Sequence, residues 1–219
     1  MSYDKIGIIN LALTRIGVKR LADLSENTPQ RHDAISAWDY IRDEVLEAKD
    51  WRFAKTRATL GTGGEGLDES YHYDYAYQLP PDFLRLVGNT TEVDNITDPP
   101  VYPPDYPYIV EVVTVTAGDP PTTYDTKCLL IDYDNTDSGL FINYIKRQED
   151  VSVYSASFVN AFAFRLAAEL CINRTEGAQK YQTMIKLYEI ALGKAESHNL
   201  SMDYVEEVQS KAWFDAGRG

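Results

Sequence analysis

The sequence has no run of about 18 apolar residues, because Asn160 and Arg165 interrupt its most hydrophobic stretch, Phe158 to Ile172. Nothing in it is built to span a membrane. The opening Met1-Ser2-Tyr3-Asp4-Lys5 carries an acid early and no separate apolar region, which argues against a secretory signal and for assembly in a cytoplasm. Cysteine is scarce. Cys128 and Cys171 fall in apolar stretches with no CxxC and no histidine at metal spacing, so both are expected to pack as reduced, small hydrophobes. Basic charge is short as well: 21 Lys and Arg against 34 Asp and Glu leave a net charge of -13. That sign opposes any affinity that depends on neutralising phosphates, and it suits a surface that DNA slides past.

Histidine is nearly absent too. His32, His72 and His198 are dispersed, with no HExxH, no GxSxG and no evident base partner, so neither a catalytic nor a metal site is expected. Gly61-Thr62-Gly63-Gly64-Glu65-Gly66 satisfies GxGxxG, but a tyrosine-alternating segment follows it where a dinucleotide fold needs a helix. A turn is the better reading, and no cofactor is implied. Asp132-Tyr133-Asp134-Asn135-Thr136-Asp137 opens like a calcium loop, yet its sixth position is Asp137 and its twelfth Asn143, so a hairpin turn is expected instead.

What the chain does have is period. Ile6, Ile9, Leu13 and Ile16 recur at helical spacing and end at Gly17, where a left-handed residue suits a helix C-terminus. Thr28-Pro29 reads as an N-cap and first-turn pair ahead of Ala34, Trp38, Ile41, Val45 and Ala48, a second helix running to about Lys49. Phe158 to Ile172 is apolar almost all round, broken only by Asn160, Arg165 and Glu169; such a helix must be covered on most sides, by the inserted region or by a neighbouring subunit. A fourth helix carries Tyr181, Met184, Tyr188, Ala191 and Ala195, with Thr175 as cap and Glu176 spaced i,i+4 from Lys180, and its period fades near His198-Asn199.

Between these pairs the period changes. Tyr71, Tyr73, Tyr75, Tyr77 and Leu79 alternate as one aromatic face of a strand, and Val110–Thr116, Lys127–Tyr133 and Leu140–Ile145 are further strand candidates. The stripe could stack single-stranded nucleic acid, but acidic neighbours Asp68, Glu69 and Asp74 favour sheet packing or a protein interface. Pro99, Pro100, Pro103, Pro104, Pro107, Pro120 and Pro121 stiffen the connections. The expected fold is α+β: a helical bundle formed by both chain ends (1–56 and 151–199), an inserted β-rich domain (57–150) and a C-terminal segment (200–219).

Three ordered stretches carry a resemblance: Asn10-Leu11-Ala12-Leu13 with Ile16-Gly17, then Trp38 to Leu46 and Trp51-Arg52-Phe53-Ala54; Tyr75-Ala76-Tyr77-Gln78-Leu79-Pro80-Pro81-Asp82-Phe83-Leu84-Arg85, close to a YAYxLPxDxLR pattern; and Phe158 to Phe162 through Leu166-Ala167-Ala168 to Tyr188 and Ala191. In order and spacing they resemble the phage tail tubular protein A family of head-to-tail connector adaptors; residues 90–130 match no part of it. The resemblance implies a virion structural protein, not an enzyme, that forms a ring of about twelve copies under the portal protein. A tail nozzle or tail tube protein would bind its far side, with DNA only as passing channel content and no membrane partner. It implies Trp38, Trp51, Phe53, Phe158, Phe162 and Tyr188 as bundle core or subunit contacts. It also implies that Tyr204, Val208, Trp213, Phe214 and Arg218, too apolar a set to be left in water, form an arm docking into the portal. The rival readings are a soluble enzyme with a carboxylate or histidine site and an acidic module binding one protein.

Overall fold

The computed structural model describes residues 3–61, 72–87, 107–117, 122–132, 140–172 and 177–202. Helix α1 (Lys5–Arg15) starts at Asp4, whose carboxylate accepts from the Gly7 amide. It ends in a Schellman motif: Gly17 takes a φ of 72°, and the amides of Gly17 and Val18 close on the carbonyls of Thr14 and Leu13 at 3.1 and 2.9 Å. Helix α2 (Pro29–Glu47) is capped by the Thr28 hydroxyl, which accepts from the Arg31 amide, with Pro29 in the first turn. Helix α3 (Ala156–Cys171) is capped by Ser155 in the same way through the Phe158 amide. Helix α4 (Gly177–Met202) extends past the point at which its period fades in the sequence.

Helix α3 is the hub. It packs against α1, α2 and α4 together, and Phe158, Ala161, Phe162, Ala163, Leu166, Ala167, Ala168 and Cys171 on it are fully buried. The cover that its all-round apolar surface demands therefore comes from three helices of its own chain, and a neighbouring subunit is not needed for it. The two chain ends thus share one bundle core, which gives the α+β architecture with the β-rich part inserted between α2 and α3.

That insert is two antiparallel three-stranded sheets. Strands β1 (Lys55–Leu60), β6 (Leu140–Lys146) and β3 (Phe83–Leu86) form one, in the order β1-β6-β3; β2 (Tyr75–Gln78), β5 (Thr122–Ile131) and β4 (Tyr108–Ala117) form the other, in the order β2-β5-β4. Leu60, Phe83, Leu140, Ile142 and Tyr144 of the first sheet meet Tyr77, Leu129 and Ile131 of the second in one buried cluster. Ile145, on the opposite face of β6, joins the bundle core with Val87. The first sheet is therefore a middle layer between helices and second sheet, so four consecutive β6 residues, Ile142 to Ile145, are buried.

Several expectations change here. Strand β2 covers only Tyr75–Gln78, and the tyrosine stripe does not share one face: Tyr77 is buried between the sheets, whereas Tyr73 lies against Ala76, Val113, Cys128 and Leu130 on the other side. Strands β5 and β6 belong to different sheets and do not pair with each other. Strands β1 and β3 had no counterpart among the strand candidates read from the sequence.

Candidate functional site

Of the aromatic residues singled out from the sequence, five gather in the bundle. Trp38 meets Phe162 edge-on at 4.7 Å between ring centroids, and Trp51 meets Phe158 at 5.0 Å. Phe53 lies 5.0 Å from Phe158, and Phe158 lies 5.7 Å from Phe162. Tyr154, which the sequence reading passed over, joins at 4.6 Å from Phe158. The fully buried Trp51 donates its indole N–H to the Val45 carbonyl at 2.7 Å. Tyr188 is buried on α4, and burial pushes its hydroxyl up to about 12. Within the chain these side chains are core.

The segment Leu79-Pro80-Pro81-Asp82-Phe83-Leu84-Arg85 joins all three layers. The Leu79 amide donates to Lys127 on β5, Phe83 is buried between the sheets, and Leu84 packs on the bundle core. Asp82 accepts from the Tyr144 hydroxyl at 3.0 Å, and its backbone carbonyl accepts from the Arg147 amide at 2.6 Å. Burial, then this bond to Asp82, pushes Tyr144 up to about 12. Arg85 donates to the carbonyl of Glu47 at the end of α2 and pairs with Asp50. A second joint runs through Asp43, which takes the buried Arg42 on one oxygen at 2.9 Å and Arg147 on the other at 2.8 Å. Neither joint was foreseen from the sequence. A cation three residues after an aspartate is too common a pattern to mark it.

Two charged flanks stand on either side of α3. On one, Arg15 of α1 donates to the backbone and side-chain oxygens of Asn160 at 2.9 and 2.5 Å, and its guanidinium lies 3.6 Å above the Phe164 ring. Among the described residues no carboxylate pairs with it, and burial pulls it down to about 10, leaving it a cation at neutral pH. Leu11, one turn earlier on α1, is exposed beside it. On the other flank, Arg165 is held between Glu44 at 2.7 Å and Glu169 at 3.1 Å. Burial opposes its charge, but the hydrogen bonds with these two carboxylates hold its pKa above the ordinary value. Tyr40 lies alongside; desolvation, then its bond with Glu169, pushes it up to about 12.

His32 is exposed with its Nε2 2.9 Å from the Asn27 side-chain oxygen, and His72 is exposed; His198 lies on α4. Cys128 is buried in the second sheet and Cys171 in the bundle, as thiols in separate clusters. Among the described residues no three His, Cys, Asp or Glu side chains gather as a metal site, and no helix is long and apolar enough to cross a membrane. Thr175, Glu176, the glycines 63–66, Tyr71 and the turn residues 133–137 lie outside the described residues, as do Tyr204, Val208, Trp213, Phe214 and Arg218.

No family model matches the sequence, and comparison with curated proteins finds no match.

Proposed function

We propose that this protein is a structural head-to-tail adaptor of a tailed phage, acting as a ring under the portal through which DNA passes and to which the tail attaches. The observation that carries the reading is the position of the YAYxLPxDxLR-like segment. Tyr75 to Arg85 runs from the outer sheet to the end of α2 and fixes the β-rich insert to the helical bundle through Asp82, Phe83 and Arg85. A motif spent on joining an insert to a bundle supports a scaffold role. The acidic surface fits the role, since each copy adds a net charge of -13 to a ring that must let DNA through without holding it. The portal on one side and a nozzle or tube protein on the other are the partners this reading requires.

The test is recruitment. The full chain is expected to bind purified portal rings in several copies, seen by native mass spectrometry, and a chain lacking residues 204–219 is expected to lose that binding while its thermal midpoint moves by only a few degrees. An early-melting truncated chain, or one that still binds portal normally, would remove the docking-arm assignment. Failure of the full chain to bind portal would remove the adaptor reading itself.

A further inference from the structure

We propose that Arg15 is the cationic half of a contact between copies of this chain, and that it docks on the acidic Tyr40, Glu44, Glu47 flank of the next copy. The inference rests on the ring reading above and names the surfaces that close the ring.

The geometry of Arg15 is that of a cation prepared for a partner. Its guanidinium is held on three sides, by the Asn160 carbonyl, the Asn160 side chain and the face of Phe164. Arg42, Arg85, Arg147 and Arg165 each pair with a carboxylate of their own chain. Arg15 pairs with none among the described residues, although 34 acids are present. A guanidinium that is already desolvated and immobilised has met most of the cost of an interface ion pair before the partner arrives. Two of its five N–H groups are engaged by Asn160, and the rest remain for a carboxylate.

Its surroundings favour a protein over a nucleic acid. Exposed Leu11 lies four residues before it on α1, and Phe164 lies four residues after Asn160 on α3, so an apolar rim surrounds the charge. Exposed Lys19 and Arg20 follow Arg15 closely, and Arg20 donates to the Thr14 hydroxyl at 3.0 Å, but the net charge of -13 opposes phosphate binding by the chain as a whole.

The occupant follows from charge complementarity within the chain. Asn160 and Phe164 precede Arg165 and Glu169 by five residues each, so the two pairs face directions about 140° apart around α3. Beyond the second pair, Tyr40, Glu44 and Glu47 recur at spacings of four and three along α2 and are all exposed. Glu44 and Glu169 together exceed the charge of the Arg165 between them, so this flank is net negative. A subunit with an unmatched cation on one flank and excess carboxylate on the other is suited to head-to-tail contact, the kind that closes rings.

The experiment uses the full chain, alone and with purified portal rings, followed by sedimentation velocity and native mass spectrometry across protein concentration and salt. Wild type is expected to associate more weakly as salt rises. Arg15→Gln and the pair Glu44→Gln with Glu47→Gln are each expected to weaken association by about tenfold or more, and the triple variant no further, because both changes break one contact. Each variant should keep the monomer's thermal midpoint within a few degrees, which separates lost contact from lost fold. Arg15→Gln rings of normal stability, or strictly additive losses in the triple variant, would overturn this contact and leave the adaptor reading standing. Loss of duplex DNA binding on Arg15→Gln with assembly unchanged would overturn it in favour of phosphate. A wild-type chain that binds portal only as single copies would end both this contact and the ring.

Discussion

The guanidinium of Arg85, on β3, donates to the backbone carbonyl of Glu47 at 2.7 Å and so closes the C-terminal end of α2 from outside the helix. A last-turn carbonyl has no partner within its own helix, and a cation there also meets the negative end of the helix dipole. Arg85→Ala is expected to cost about 1–2 kcal/mol. Arg85→Lys should restore part of this, because it keeps the charge and loses the fork. Urea midpoints of the three chains measure it; identical midpoints would show that the joint carries no stability.

Trp51 tests the core in two steps. Trp51→Phe keeps most of the apolar contact with Phe158 but strips the Val45 carbonyl of its donor, an expected loss of about 1–3 kcal/mol. Trp51→Ala adds a cavity beside α3 and should cost about 3–5 kcal/mol. A truncation no worse than the phenylalanine variant would mean that the site collapses to fill the space.

Gly17 isolates a backbone effect. A Cβ built there meets nothing within 4 Å, yet the residue holds φ at +72°. Gly17→Ala should therefore destabilise by about 1 kcal/mol through conformation alone, and Gly17→Asn by less, since asparagine tolerates the left-handed region. Thermal melts that rank asparagine below alanine would contradict this account.

Alkaline pH should weaken the fold. Tyr40, Tyr144 and Tyr188 are each pushed up to about 12, from an ordinary value of 10. Between those values the unfolded chain has released protons that the folded chain retains, so the stability these tyrosines contribute is whole below pH 10 and declines as pH rises towards 12. Denaturation midpoints across that range, with tyrosinate absorbance recorded alongside, should fall for wild type. Tyr144→Phe should fall less steeply, having lost the hydroxyl that Asp82 accepts from.

Legibility followed locality. The Thr28-Pro29 start of α2, the Gly17 end of α1 and the helical period of α3 are each written within a few residues, because caps and amphipathic stripes depend on chemical groups one turn apart. Strand β1 is mostly polar or charged and β3 is four residues long after a proline pair, so neither carries a period long enough to detect. The alternation of Tyr73, Tyr75 and Tyr77 is real in the sequence, but the chain enters β2 only at Tyr75, and Tyr73 departs to another cluster.

Among the described residues, the sequence by itself determined the four helices, the Gly17 end of α1, the Thr28-Pro29 start of α2, four of the six strands and the placement of a β-rich insert between two helical ends. All of these rest on propensity and spacing along the chain. Only the tertiary structure decided that α3 is covered by α1, α2 and α4, that the first sheet lies between bundle and second sheet, and that β5 and β6 part into different layers. It alone gave Arg85 the end of α2, and left Arg15 on Asn160 with no carboxylate among the described residues. Those outcomes depend on which surfaces meet across up to 145 residues of chain, and side-chain chemistry read in order along the sequence does not encode that distance.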